Sequence, residues 1–527
     1  MKLATSSTPV LLRMEIPTAR RSTYVWLAFA LTCVAATPAL AREETLSQDD
    51  IAWLRRDSFD LNSATVARYR ELGRSRFLDE QLADHTPDNL PPEITQLLGS
   101  YEVNSTPNDE MLVRLQEEQQ KIKDMPDGDA KNDARKFQQQ HANDLLQQSQ
   151  ETVMLRAVYG SNQLKEQMVW FWLNHFSVYG AKGRVRWVVS DYAQNTIRTH
   201  ALGKFRDLVM ATLESPAMLE FLDNAQNAKG HINENYAREL MELHTLGVNS
   251  GYTQQDVQQL ALILTGAGIV PPKRGGEPPK LNPQMQPLYL RQGAFEFNPA
   301  RHDFSDKTLL GQTIKGSGFK EIEQAVDLIT RQPACAQFVS RKLAEYFVAD
   351  QPPQALIDKM ARTFRRSDGD IAKVLRTLFE SKDLLASRGK KFKDPTQFVV
   401  SSVRLAYDGK PLVNAKPLLN WINQLGESAF GRLTPDGWPL DSIGWSSSGQ
   451  MSKRFEIARA IGTGDNRLFT PEGSPKVGAG FPMLTTRLFY DAIEPNLSAA
   501  TRDALGKAAS QQEWNTFLLS SPDFNFR

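Results

Sequence analysis

The 527 residues carry 62 Lys and Arg against 61 Asp and Glu, so the chain is nearly neutral and has no electrostatic reason to bind nucleic acid. Cysteine occurs only at Cys33 and Cys335, which excludes a disulfide-stapled scaffold; a chain of this length can bury a large core without staples.

At the start, Arg20 and Arg21 precede an apolar run from Tyr24 to Ala36, and Ala39-Leu40-Ala41 supplies a small-residue cleavage site. This predicts a secretory signal peptide over residues 1–41, cut before Arg42. The run is too short, and too soon ended by Pro38, to span a bilayer. Met14 is an alternative start. The paired arginines resemble a twin-arginine signal, but Thr23 stands where that signal prefers an apolar residue, so ordinary export is expected. Cleavage removes Lys2, Arg13, Arg20, Arg21 and Glu15, leaving a net charge near −2, and it removes Cys33. No second long apolar run follows. The expected mature protein is periplasmic or secreted, without a membrane span.

Ser47 can cap a first helix, DDIAWLRRDSF, and Ser63 a second, with Val66, Tyr69, Leu72, Phe77 and Leu78 as its apolar stripe. Pro87, Pro91 and Pro92 break the pattern. From Glu110 to Glu151 the composition turns to Gln, Lys, Asp and Glu around Met125-Pro126-Asp127-Gly128. Residues 101–150 are therefore expected to form a polar helical insertion, able to move beside the core. Asp127 and Asp129 do not complete a calcium loop. LKEQMVWFWLNHFSVYG is apolar nearly all round, as a central buried helix must be. Ser215-Pro216 is a cap and first-turn pair.

NENYARELMELHTLGVNSGYTQQDVQQLALILTG, Asn233 to Gly266, predicts two consecutive helices. Asn233 can cap the first, Gly247 can close it in the left-handed conformation, and Thr253 with Asp256 predicts a capping box on the second. Arg238 and Glu242 are four apart and should be neighbours, as should Asn235 and Glu239. Pro271 to Pro287 is a surface loop, and Phe295 and Phe297 suggest a short hairpin. Helices resume at Phe319, and a tryptophan-rich loop, GRLTPDGWPLDSIGWSS, precedes the last ones. The expected fold is mostly α: a multi-helix single core with a short β-hairpin and long surface loops. Residues 42–100 would form the N-terminal part of the core, 151–470 its main body and 471–527 a tail packed on it.

LRRDSFDLNSATVARYRELGRSRFLDEQL, QMVWFWLNHFSV, the Asn233–Gly266 pair, FNPARHDFSDKTLLG, ACAQFVSRKLAEYFVAD and the GWP loop stand in one order. Together they resemble the bacterial domain of unknown function 1800 family, from about Ile51 to Ile461. Glu427, Arg432 and Leu433 depart from that family's pattern in the tryptophan loop. The resemblance implies an exported, mainly helical protein with no settled activity. It also implies an exported partner from the domain of unknown function 1501 family, which is related to sulfatases and alkaline phosphatases.

Candidate chemistry gathers in three polar clusters: Asn174-His175, the Arg238, Glu239, Glu242 and His244 helix, and His302-Asp303. Converged, they could hold a divalent metal or serve as an acid/base pair. The plainer reading is a buried ion network, with Asp303 orienting His302 or capping a turn. HExxH is absent, and Glu242 and His244 are two apart, so a diiron ligand set is not supported. Trp438 and Trp445, with Asp436 and Asp441 nearby, suit stacking on a polysaccharide, or else plug a core edge. GxSxG is absent, Ser317-to-Lys320 matches SxxK without its companion motifs, and Cys335 reads as packing. Two functions follow. The first is an exported hydrolase of an envelope or extracellular polymer, using His175, Arg238, Glu239, Glu242, His302 and Asp303, with Asn174, Trp438 and Trp445 binding substrate. The second is a non-catalytic scaffold for another exported protein.

Overall fold

Helix starts follow local side-chain chemistry. The computed structural model describes residues 46–83, 89–271, 277–476, 478 and 480–527. The proposed signal peptide, Cys33, Pro87 and residues 272–276 lie outside them. Helix α1 (Gln48–Asp57) opens on a capping box between Ser47 and Asp50. Helix α2 (Ser63–Leu82) is capped by Asn62, whose Oδ1 accepts from the Thr65 amide at 2.9 Å. Ser63 does not cap it, because it is the first residue inside the helix; its hydroxyl donates to the Asp408 carboxylate at 2.6 Å. Gly73, at φ 72°, kinks α2 within its predicted span.

The polar pair is α3 (Asn108–Asp124) and α4 (Asp129–Tyr159). Its tip is solvated, with Phe137 74% exposed, but Met111, Leu112, Leu115, Ala142 and Leu145 are buried core. The pair lays one apolar stripe on α6 (Val185–Asp191), and α4 runs unbroken past residue 150. Helix α5 (Gln163–His175) is buried on nearly every side. Helix α6 continues as a π-helical segment, Tyr192–Arg198, followed by α7 (Phe205–Glu214) and α8 (Pro216–Phe221).

In the central pair, α9 (Asn235–Glu239) passes into a π-helical turn, Leu240–Thr245. Asn233 stands one residue outside the cap position, and its Oδ1 accepts from the Asn235 amide at 2.9 Å. Gly247 takes φ 87°, and Thr253 and Asp256 form the expected capping box on α10 (Gln254–Ile263).

Among the described residues five short strands form two antiparallel sheets. Strand β1 (Ala267–Ile269) and β2 (Leu290–Gln292) flank β3 (Phe295–Phe297), with Ile269 and Gln292 both opposite Phe295. The predicted hairpin is β2–β3. Neither β1 nor the second hairpin, β4 (Lys307–Leu309) with β5 (Gln312–Ile314), shows in the sequence pattern, because three residues are too few to display a period.

Helices then continue through α11 (Phe319–Thr330), α12 (Pro333–Phe347), α13 (Gln354–Arg366), α14 (Ile371–Phe379), α15 (Pro395–Tyr407), α16 (Ser448–Gly462) and α17 (Gln511–Ser520). The fold is mostly α around one continuous apolar core. Its buried charges satisfy backbone as well as each other. Arg56 donates to the carbonyls of Val348 (3.0 Å) and Ser387 (2.8 Å), and Arg527 to Gln167 Oε1 (2.7 Å) and the Tyr346 carbonyl (2.9 Å). No helix among the described residues is long and apolar enough to cross a membrane.

Candidate functional site

The predicted site residues separate into two neighbourhoods. The first lies where the end of α5, the π-turn after α9, α12 and the tryptophan loop meet. His175, the last residue of α5, is buried and donates through Nε2 to the His244 carbonyl at 2.9 Å. That carbonyl is one of those a helix end leaves without an intrahelical amide, so His175 caps the π-turn. The His175 and His244 rings lie 6.2 Å apart, packed among Phe176 and Phe338. Both His244 ring nitrogens and His175 Nδ1 lack a hydrogen-bond partner among the described residues. Burial and the nearby Lys342 charge push His244 down to about 3; the same causes and His244 hold His175 well below the usual imidazole range. Both rings are therefore neutral, and neither carries a proton to a substrate near pH 7.

Asn174, beside His175, grips the tryptophan loop. Its Oδ1 accepts from the Trp438 amide at 2.5 Å, and its Nδ2 donates to the Trp438 carbonyl at 3.0 Å. Gly437 permits that approach: it takes φ 75°, and a Cβ there would overlap the Asn174 carbonyl oxygen. Trp438 is half-buried, its indole N–H donating to the Ser428 carbonyl at 3.1 Å, with the Arg432 guanidinium 5.4 Å from its ring centre. Trp445 is 4% exposed and donates to the Pro439 carbonyl. Its ring plugs the loop and presents no face for a sugar, so it is removed from the substrate-binding set. Trp438 remains partly exposed.

Beneath this loop lies a cleft of about 260 Å³, lined by Lys342, Glu345, Asp350, Arg432, Asp436 and Trp438 among others. Burial would raise the Asp436 carboxyl, but bonds from Arg432 (2.8 Å) and Thr434 pull it below its usual range. Glu239 responds oppositely: burial and the charges of Glu242 and Asp436 push it up against the pull of Arg238. Glu345 is also raised by burial, while bonds from Lys391 and Ser442 hold Asp350 low. Burial lowers the Lys342 ammonium, against the pull of Glu345 and Asp436. Arg238 reaches Glu234 at 3.2 Å and Glu242 at 3.6 Å, as the four-residue spacing requires.

The second neighbourhood holds His302 and Asp303, after β3. His302 Nδ1 faces the Thr265 carbonyl and Nε2 faces Glu321 Oε1, each at 2.8 Å. Glu321 Oε2 accepts from Lys307 at 2.7 Å, and all three side chains are fully buried. Asp303 closes a turn by accepting from the Ser305 amide at 2.9 Å. These contacts include none of the other predicted residues. His302 with Glu321 and Lys307 ties the β4–β5 hairpin to the start of α11.

Among the described residues no group of three or more His, Cys, Asp or Glu side chains is placed to hold a metal. Cys335 is fully buried, and burial pushes its thiol up, as inert packing requires. Sequence reasoning did not assign roles to Lys342 or Asp436. Asp436 stood inside the recognised loop, but nothing local marks Lys342, a lysine on an amphipathic helix.

A family model described as a protein of unknown function (DUF1800) matches residues 52–526. No curated protein and no solved structure matches the chain.

Proposed function

The chain belongs to this family of unknown function, DUF1800, and from that premise we propose that it is an exported hydrolase cleaving an envelope or extracellular polysaccharide in the cleft under Trp438. The observation that carries the reading is the cleft itself, where Asp436, Glu345 and Lys342 gather under Trp438, together with the opposite shifts of two carboxyls: Asp436 in the lining is lowered, and Glu239 on α9, outside the lining, is raised, in part by the Asp436 charge. Groups separated in this way divide into acid and base. Glu239 is the proton donor because Asp436 is itself among the causes of its rise, which is not so for Glu345.

In the proposed reaction Glu239 protonates the leaving glycosidic oxygen as its bond to the anomeric carbon breaks. Asp436 accepts a proton from the water whose oxygen bonds to that carbon. Solvent exchange then restores both groups. Trp438 supports a sugar ring, Asn174 fixes Trp438, and Lys342 supplies positive charge in the cleft. His175 and His244 are buried away from the cleft lining, where His175 holds the π-turn that follows Glu239.

The test is release of reducing ends from isolated envelope polysaccharide by the purified mature protein. Glu239→Gln and Asp436→Asn should each lower kcat by about 10²-fold or more, and Glu345→Gln by far less. Full activity in both of the first two variants sinks the proposal.

One observation favours the scaffold reading. Ile443 and Leu433, on the same loop, are 85% and 68% exposed. Such a surface suits an exported partner, such as a domain of unknown function 1501 protein. Capture of that partner, lost in Ile443→Asp and retained in Asp436→Asn, would establish docking independent of hydrolysis.

A further inference from the structure

Away from the tryptophan loop, two cavities of about 520 and 600 Å³ share Asn108, Asp191, Asn195 and Gly293 as lining. They are lobes of one trough, each within the range of about 300–1,000 Å³ typical of small-molecule sites. None of its lining residues belongs to the cleft under Trp438.

The shared ledge is a chain of planar polar groups. Asn108 Nδ2 donates to Asp191 Oδ2 at 2.9 Å, and Asn195 Nδ2 donates to Asp191 Oδ1 at 2.7 Å. It stands where α6 passes into its π-helical segment, an irregularity frequent at functional sites. In the first lobe His200 donates through Nδ1 to the Thr196 carbonyl at 2.7 Å, which leaves Nε2 as an acceptor.

Ser215 in the same lobe is only 3% exposed, and its hydroxyl has no hydrogen-bond partner among the described residues. It occupies the cap position of α8 without capping the helix. A buried hydroxyl left unbonded is costly unless something else bonds it. Met210, Pro216 and Phe295 add apolar surface.

The lining discriminates by charge. Asp109, Asp191, Asp207 and Glu214 outnumber Arg156 in the lining and disfavour anions. The same charge would draw a cation, but both Asp191 oxygens already accept from amides and Asp207 is 3.4 Å from Arg206, so these two carboxylates are already engaged. Amides, hydroxyls, carboxyls and a ring nitrogen beside apolar patches suit a neutral polyhydroxylated chain. We propose that this trough binds a neutral oligosaccharide segment along the Asn108–Asp191–Asn195 ledge, with Ser215 bonding a sugar hydroxyl. The proposal does not depend on the hydrolysis proposed above.

Calorimetric titration of the full mature protein with chitotetraose and cellotetraose tests it, with spermine as the cationic comparison. At least one tetrasaccharide should bind with a Kd near or below about 1 mM. Asn195→Ala and Asn108→Ala should each weaken it about tenfold. Asn195 is exposed, so its replacement leaves the core untouched. Asp436→Asn, which disables the proposed hydrolysis, should leave this binding unchanged. No saccharide binding at about 10 mM overturns the proposal, as does binding that survives both asparagine variants, is lost with Asp436→Asn, or is shown by spermine alone.

Discussion

Replacing Glu321 by alanine would decide whether the His302 cluster is structural. Glu321 Oε1 accepts from the Ser317 amide at 2.6 Å and the Gly318 amide at 2.9 Å, and it meets His302 Nε2 at 2.8 Å. Its Oε2 meets Lys307 Nζ at 2.7 Å. Removing the carboxylate leaves a buried ammonium with only the Asp303 carbonyl and, at 3.7 Å, the Asp303 carboxylate. Breaking a buried pair on one side costs about 3–5 kcal/mol. At about 2.1 cal/mol/K per residue over roughly 480 residues, unfolding entropy is near 1 kcal/mol/K, so Tm should fall by about 3–5 °C. The effect carries a pH dependence of known sign. Burial alone would raise Glu321, but bonds from His302, Lys307 and the two amides hold it below its ordinary 4.5. A depressed carboxyl contributes stability above its unfolded value and loses it as pH falls through the folded value. The gap between wild type and Glu321→Ala should therefore be widest at neutral pH and close below 4.5. Urea unfolding across a pH series measures it. A gap under about 1 kcal/mol at pH 7, or one indifferent to pH, would refute the structural reading of the cluster.

Two further outcomes are expected. Asp57 is wholly buried, with neither carboxylate oxygen partnered among the described residues, and burial pushes its carboxyl well above the ordinary 3.8. The folded state holds that proton more tightly than the unfolded chain, so this contribution to stability falls as pH rises above 3.8. Asp57→Asn should gain about 1–2 kcal/mol at pH 7 in urea unfolding, and a loss would show that the carboxylate has a partner. Gly437→Ala combines a left-handed backbone with overlap onto the Asn174 carbonyl, and should cost about 2–4 kcal/mol. Hydrogen exchange over residues 432–445 should quicken with it; unchanged exchange there would mean that Asn174 does not hold the loop.

Much of this protein follows from sequence because its causes are local. The Ser47 and Thr253 capping boxes, the all-round burial of Gln163–His175 and the Arg238–Glu242 spacing each depend on residues within one or two turns. Six motifs in one order also sufficed to recognise the family. Other features escaped because they are decided at a distance. Asn62 took the cap position expected of Ser63, whose hydroxyl turns instead to Asp408, a residue remote in the chain. Met111 and Leu145 are core only because α6 passes beneath a pair that looks polar by composition. The candidate site shows the division most sharply. Its residue types were visible, but tertiary packing sent His302 to Glu321 and Lys307, buried Trp445, and set Asp436 and Lys342 beside the Glu239 helix. Proton affinity depends on burial and on charges brought together through space, so the contrast between Glu239 and Asp436 exists only in the folded chain.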